Sequence, residues 1–228
     1  MALQIIPFQS GVNTCFIVKD KGAIMIDAAW AKDGSSFTKL LAKEGMTPKE
    51  IKLIILTHGD FDHVGGTKVL KEVTGAAVAI HEKDRKNLEE GIFHWPEGVT
   101  WWGRISRALL KPLLMKKRGF PGVKADLVLG NNDQSLEEFG IAGKIIYTPG
   151  HTFGSVSVLL DSGEAFVGCL AHNKFPFVLK PGLPIYAKDI TLVKKSLKMV
   201  IDLGAKILYP GHGNPIPAGT MMKYLNQK

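Results

Sequence analysis

Residues Thr57-His58-Gly59-Asp60-Phe61-Asp62-His63-Val64-Gly65-Gly66 crowd four potential metal ligands, His58, Asp60, Asp62 and His63, into six positions. Just before them, Ile51-Lys52-Leu53-Ile54-Ile55-Leu56-Thr57 is a short apolar, β-branched run, the pattern of a buried strand. After them, Gly65-Gly66 opens a segment that reads as a helix through Val73. The ligands therefore stand on a turn where a strand gives way to a helix, a common seat of chemistry in layered α/β folds. A polar, solvated loop would explain a lone His-Asp pair. It does not explain two more histidines placed the same way. These are His151 in Tyr147-Thr-Pro-Gly-His-Thr-Phe-Gly-Ser155 and His212 in Tyr209-Pro-Gly-His-Gly213, each in a glycine-flanked turn after an apolar run.

Outward from these turns, short apolar runs predict strands over 3–8, 14–18, 23–27 and 76–80, with a helix over 36–43. The second half repeats the rhythm. Strands are predicted over 126–129, 135–139, 144–147, 155–160 and 165–168, then a helix over 190–203 and a strand over 205–208 that delivers His212. Two β-rich halves, each followed by helices, predict two sheets packed together with helices outside. The ligand-bearing loops would gather along one edge, within a single domain over 1–228.

Residues 91–124 break this rhythm. Trp95, Trp101 and Trp102 are followed by Arg104-Ile-Ser-Arg-Ala-Leu-Leu-Lys-Pro-Leu-Leu-Met-Lys-Lys-Arg118, apolar and basic together and interrupted by Pro112. Three readings stay open: a lid or pocket wall, an interfacial helix touching a membrane or a partner subunit, and an insertion that simply packs its own tryptophans. The net charge of +8 is open to four readings: an anionic substrate, nucleic acid, a membrane surface, or solubility alone. No nucleic-acid-binding motif is present, so no such partner is expected. Cys15 and Cys169, far apart, suggest no disulfide framework. The segment Met-Ala-Leu-Gln-Ile-Ile-Pro is not followed by a signal-length apolar run, and a cytoplasmic location is expected.

The pattern His-x-Asp-x-Asp-His with Gly-Gly, then Pro-Gly-His-Thr, then Gly-His-Gly resembles the metallo-β-lactamase superfamily, whose usual first motif is His-x-His-x-Asp-His. The resemblance runs from about residue 11 to 212 and takes in Ile24-Met-Ile-Asp27-Ala-Ala, which looks like that family's early Asp-bearing strand end. It implies an α/β (α+β) fold: a four-layer αββα sandwich of two mixed β-sheets with helices outside and one or two metal ions between the sheet edges. By position, His58, Asp60 and His151 would form the first metal site, and Asp62, His63 and His212 the second. Two positions depart from the pattern. Asp60 stands where the family usually has a second histidine. Cys169, in Phe166-Val-Gly-Cys-Leu170, stands where most members have a bridging aspartate, although one branch of true lactamases has a cysteine ligand there. Thiolate favours zinc, whereas a carboxylate at position 60 favours iron or manganese.

The resemblance further implies a metal-bound hydroxide acting on a small-molecule substrate, best a small ester, lactone or thioester. Asp62 would orient that hydroxide, His172 would donate to the substrate or leaving group, and Asp27 would accept from a ligating imidazole. His81 and His94 read as structural or surface residues. Only about sixteen residues follow His212, too few for the glutathione-binding helical region of the glyoxalase branch. An iron-dependent redox enzyme and a degenerate, non-catalytic ligand binder are the alternatives. Asp60, Asp62 and a metal-bound Cys169 thiolate would bring one negative charge more than the usual ligand set and lower the Lewis acidity of the pair. The pH optimum of hydrolysis should therefore lie high, and Asp60→His should move it down; superimposable pH profiles of the two proteins would refute the charge argument.

Overall fold

Two six-stranded sheets carry the chain in the computed structural model, which describes residues 3–28, 30, 34–115, 119–174, 178 and 180–226. The first sheet runs β1 (Gln4–Ser10), β2 (Asn13–Lys19), β3 (Ala23–Ile26), β4 (Ile51–Ile55), β5 (Ala77–His81) and β6 (Leu127–Leu129) in spatial order. Its first two pairings are antiparallel and the next three parallel. The second sheet contains β7 (Gln134–Ser135), β8 (Gly143–Tyr147), β9 (Val156–Leu160), β10 (Glu164–Gly168), β11 (Ile207–Pro210) and β12 (Ile216–Pro217), again adjacent in that order. Only β10 and β11 pair in parallel there, so both sheets are mixed.

The strands read as unbroken apolar runs because both faces of each sheet are covered. Between the sheets, Phe16, Ile24, Leu53 and Ile55 of the first meet Ile145, Val158 and Phe166 of the second. On the outer face of the first sheet, Met25 and Ile54 pack under Phe37 and Leu41 of α1 (Ser35–Lys43) and Leu70 of α3 (Thr67–Thr74). On the outer face of the second, Val167 and Leu208 pack under Val193 and Leu197 of α6 (Ile190–Asp202) and Met221 of α7 (Ala218–Leu225). Three apolar layers between four structural layers give the αββα sandwich. Two further helices flank the ligand loop, α2 (Phe61–Val64) and α4 (Glu82–Glu89), and α5 (Trp101–Met115) lies in the insertion.

Three expectations change in detail. Residues 135–139 hold only the end of a two-residue strand, followed by a 3-10 turn over Glu137–Phe139 that closes on Gly140 at φ 74°, a conformation a continuing strand could not hold. Pro112 does not interrupt α5 but sits inside it. It removes one hydrogen bond, to the Ala108 carbonyl, and that residue is exposed so water can replace the lost donor. The charged stretch Glu-Lys-Asp-Arg-Lys-Asn-Leu-Glu forms α4 although it lacks a wide apolar stripe; the imidazole of His81 caps it by accepting from the Lys83 backbone N–H. Lys116, Lys117 and Arg118, part of the basic run in the insertion, lie outside the described residues. Among the described residues no helix is long and apolar enough to cross a membrane.

Phe166 ties the two sheets together: it is 1% exposed and its ring lies 5.2 Å from that of Phe16 and 5.0 Å from that of Tyr209. Phe166→Ala should lower the unfolding free energy by about 3–5 kcal/mol, measured by urea denaturation of the metal-stripped protein. A loss under about 1 kcal/mol would show that this contact does not hold the sheets.

Candidate metal centre

Parallel pairing brings the ends of β3 and β4, and of β10 and β11, to one rim, with Ile26 beside Ile55 and Gly168 beside Pro210. The residues that follow these ends are Asp27, Thr57-His58, Cys169 and Gly211-His212. Backbone hydrogen bonds join the sheets at this rim: Val156 N–H donates to the Thr57 carbonyl and Thr14 N–H to the Gly211 carbonyl, both at 2.8 Å. Gly168 is needed here for two reasons. Its φ is 51°, and a Cβ at that position would stand 2.7 Å from Thr57 Oγ1.

Each of the four histidines has one ring nitrogen held. His151 Nδ1 donates to the Tyr186 carbonyl at 2.8 Å and His212 Nδ1 to the Val12 carbonyl at 3.0 Å. His63 Nδ1 donates to Asp27 Oδ2 at 2.8 Å. His58 Nδ1 donates at 2.9 Å to Thr57 Oγ1, whose own hydrogen goes to the Asp27 carboxylate. With Nδ1–H donating, Nε2 of His58, His63 and His212 turns a lone pair inward, the arrangement that orients metal-ligating imidazoles; His151 Nε2 lies 2.9 Å from Asp60 Oδ2 and donates to that carboxylate.

The spacing fits ions. Ligands about 2.0–2.2 Å from a tetrahedral cation stand about 3.3–3.6 Å from one another. Asp60 Oδ2 lies 3.6 Å from His58 Nε2, within that range, but 2.9 Å from His151 Nε2, a hydrogen-bond distance. His63 Nε2 lies 3.3 Å from His212 Nε2 and 3.4 Å from Cys169 Sγ, and Asp62 Oδ2 lies 3.3 Å from His212 Nε2. Two triads of ligand atoms lie within 4.8 Å of one another, His58–His151–Cys169 and His63–Cys169–His212. Cys169 is common to both, and neither triad includes Asp60 or Asp62, the carboxylates that the resemblance placed in the two sites; Asp60 lies beside His58 and His151, and Asp62 beside His212.

The electrostatics agree with a cation site. His58 Nε2 is buried without a hydrogen-bond partner, and lone pairs of His63 and His212 face each other. Burial, with His63 nearby, drives His58 down to about 4, and burial drives His63 down to about 3, so both present neutral rings. Burial opposes ionisation of Asp60, yet hydrogen bonds from His151 and His94, with His58 3.6 Å away, hold it well below the usual carboxylate range. Burial likewise opposes charge on His151, and Asp60 overrides it, raising the imidazole. Burial, reinforced by Asp62, Asp60 and Asp27, pushes the Cys169 thiol well up; a divalent ion reverses this by binding the thiolate.

Several contributors escape sequence reading. His94, which reads as structural or surface, places Nδ1 2.5 Å from Asp60 Oδ1, so the insertion itself clamps the unusual carboxylate. Asp84 at the start of α4 accepts from Gly59 N–H at 2.8 Å and from Thr152 Oγ1 at 2.6 Å, tying the first and second ligand loops together. Neither residue belongs to a motif; both act across long sequence separations. His172 is 1% exposed with its ring 5.0 Å from that of His212, and burial with the surrounding histidines keeps it neutral. His81 remains structural, capping α4 and contacting Asn131.

Above the ligands lies a cavity of about 210 Å³, whose floor includes Asp60, Asp62, His151 and His212 and whose walls include Trp95, Trp102 and Ile185. The insertion supplies a wall. Ser106 Oγ of α5 lies 2.6 Å from the Tyr186 hydroxyl, and a Cβ at Gly103 would stand 2.2 Å from the Ile185 carbonyl oxygen, so the helix sits close against the His151-supporting loop. Asp27→Asn would offer His63 and Thr57 an amide where a carboxylate now accepts. It should weaken zinc binding by about 10–100-fold by competition titration; unchanged affinity would remove Asp27 from the ligand-orienting role.

Comparison with known proteins gives the same grouping. The metallo-beta-lactamase superfamily model matches residues 8–212. The beta-lactamase-like protein 2 homolog of Drosophila melanogaster is 26% identical over 223 residues, 96% of this chain and 64% of that protein, so the chain spans less than two thirds of that relative. A probable metallo-hydrolase of Methanocaldococcus jannaschii is 25% identical over 206 residues, 88% of this chain and 87% of its own. An archaeal metallo-beta-lactamase superfamily protein from Sulfolobus tokodaii superposes with a TM-score of 0.68 at 25% identity, covering 99% of this chain and 85% of its own. The B3 metallo-beta-lactamase BLEG-1 shares the fold at a TM-score of 0.71 and 23% identity, covering 99% and 100%. With the family match extending from β1 to the last ligand turn, the chain belongs to the metallo-beta-lactamase superfamily.

Proposed function

We propose that this chain is a metal-dependent hydrolase of small, uncharged esters, lactones or thioesters, with zinc held by His58, Asp60, Asp62, His63, His151, Cys169 and His212. The observation that carries the reading is a floor of converging Nε2 atoms and carboxylates opening directly into an apolar-walled cavity. A bound ion there supplies Lewis acidity and lowers the pKa of a coordinated water. The protein's own groups do the rest. Asp62, on the cavity floor, holds the attacking water's proton at its carboxylate, and Trp95, Trp102 and Ile185 exclude bulk water around an acyl group. His172, neutral and facing the cavity, orients the substrate or leaving-group oxygen through a hydrogen bond.

Two features support the substrate class. The cavity, about 210 Å³, has room for a small acyl group against its aromatic walls. Among the described residues lining it there is no lysine or arginine, so a phosphate or carboxylate would meet Asp60 and Asp62 with no long-chain cation beside them. Zinc is preferred over iron because both triads include the soft sulfur of Cys169.

Metal analysis of the purified protein, followed by assays on short-chain aryl esters, lactones and thioesters, tests this. Chelation should abolish turnover and zinc should restore it, and Asp62→Asn should lower kcat by about 100-fold or more with little change in KM. Iron as the resident metal with dioxygen consumption would overturn the hydrolytic reading in favour of redox chemistry. Absence of turnover above the metal-free protein across the panel would favour a binding module.

A further inference from the structure

We propose that α5 is a membrane-docking helix whose outward apolar face seats on an anionic lipid surface beside the mouth of the cavity. Trp101, Ile105 and Leu109 recur every four residues and so form one line along the helix, and they are 73%, 45% and 71% exposed. The opposite face carries the buried residues Gly103 and Ser106, which pack on the Ile185–Tyr186 segment. Among the described residues, α1, α3 and α6 turn Phe37, Leu70 and Leu197 inward.

Charge selects the occupant. The described helix contains Arg104, Arg107 and Lys111 and no acidic residue. Helical geometry sets Arg104 and Lys111 along one edge of the apolar line, while Arg107 is taken by Glu97. The sequence then continues into Lys116-Lys117-Arg118, within a chain of net charge +8. A second copy packed symmetrically on this face would oppose these cations with themselves. Anionic headgroups answer them, and tryptophan beside an aliphatic stripe suits the boundary between headgroups and acyl chains. Trp102 and Leu110, 39% and 43% exposed, also line the cavity, so apolar surface continues from the docking face to the site. The inference stands apart from the hydrolytic reading, because vesicle binding is measured without turnover.

The test uses the full, metal-loaded chain and sedimentation with phosphatidylcholine vesicles with and without phosphatidylserine. Binding should require phosphatidylserine and weaken as salt is raised. Ile105→Glu with Leu109→Glu should weaken binding by about tenfold or more, with far-UV circular dichroism unchanged; Arg104→Glu should weaken it while leaving the apolar face whole. Three results overturn the proposal: no binding to anionic vesicles at low salt, binding indifferent to these variants, or a dimer of the native chain that the Ile105/Leu109 variant dissociates.

Discussion

One buried carboxylate sets the geometry of both halves of the site. Asp27 is 2% exposed, follows β3 in the left-handed backbone region at φ 61°, and accepts from Thr57 N–H, Thr57 Oγ1 and His63 Nδ1. It thereby fixes His63 directly and His58 through Thr57, one imidazole from each triad. Burial pushes this carboxyl up to about 6 against the pull of His58 and of the hydrogen bonds from Thr57. The strained backbone persists because the sheet register leaves it no alternative. Asp27 N–H donates to the Ile55 carbonyl and Ala28 N–H to the His63 carbonyl, both at 2.8 Å. A slip of one residue between β3 and β4 would turn every side chain to the other face and dismantle the hub.

The same constraint reaches the second sheet. Thr57 can approach the end of β10 only because Gly168 lacks a side chain, and that approach places the next residue, Cys169, between the two groups of histidines. Gly211 repeats the device: a Cβ there would stand 2.6 Å from His63 Cε1. Close packing of backbone against imidazole at both strand ends lets a set of buried polar groups assemble without large voids. Each polar atom is oriented by the frame, so little conformational entropy remains to be lost when an ion binds.

What was legible in the sequence was local. A β-branched run ending in a glycine-bearing turn declares a strand end, and His58, Asp60, Asp62 and His63 share one such turn. His151 and His212 repeat the pattern, so their convergence follows from the sandwich itself. His94 and Asp84 were illegible because their partners lie 34 and 25 residues away and neither sits in a patterned turn. The helix α4 was missed because its charged sequence offers little apolar periodicity; it is held by the cap from His81 and by the burial of Leu88. The strand read over 135–139 failed because burial of Leu136 and the positive φ of Gly140 outweigh the β-propensity of neighbouring residues.

Charge is divided by position. The chain's excess of basic residues stays out of the lining of the chamber, whose described side chains include carboxylates, imidazoles, a thiol and aromatic rings but neither lysine nor arginine. Surface charge acts over about a Debye length and governs where the molecule resides and how fast it meets charged bodies. The chamber acts at contact, where desolvating a charge without a partner is costly. A basic exterior therefore says nothing about an anionic substrate here. It bears on what the outside of the molecule touches, while the apolar walls and negatively biased floor set the environment inside the cavity.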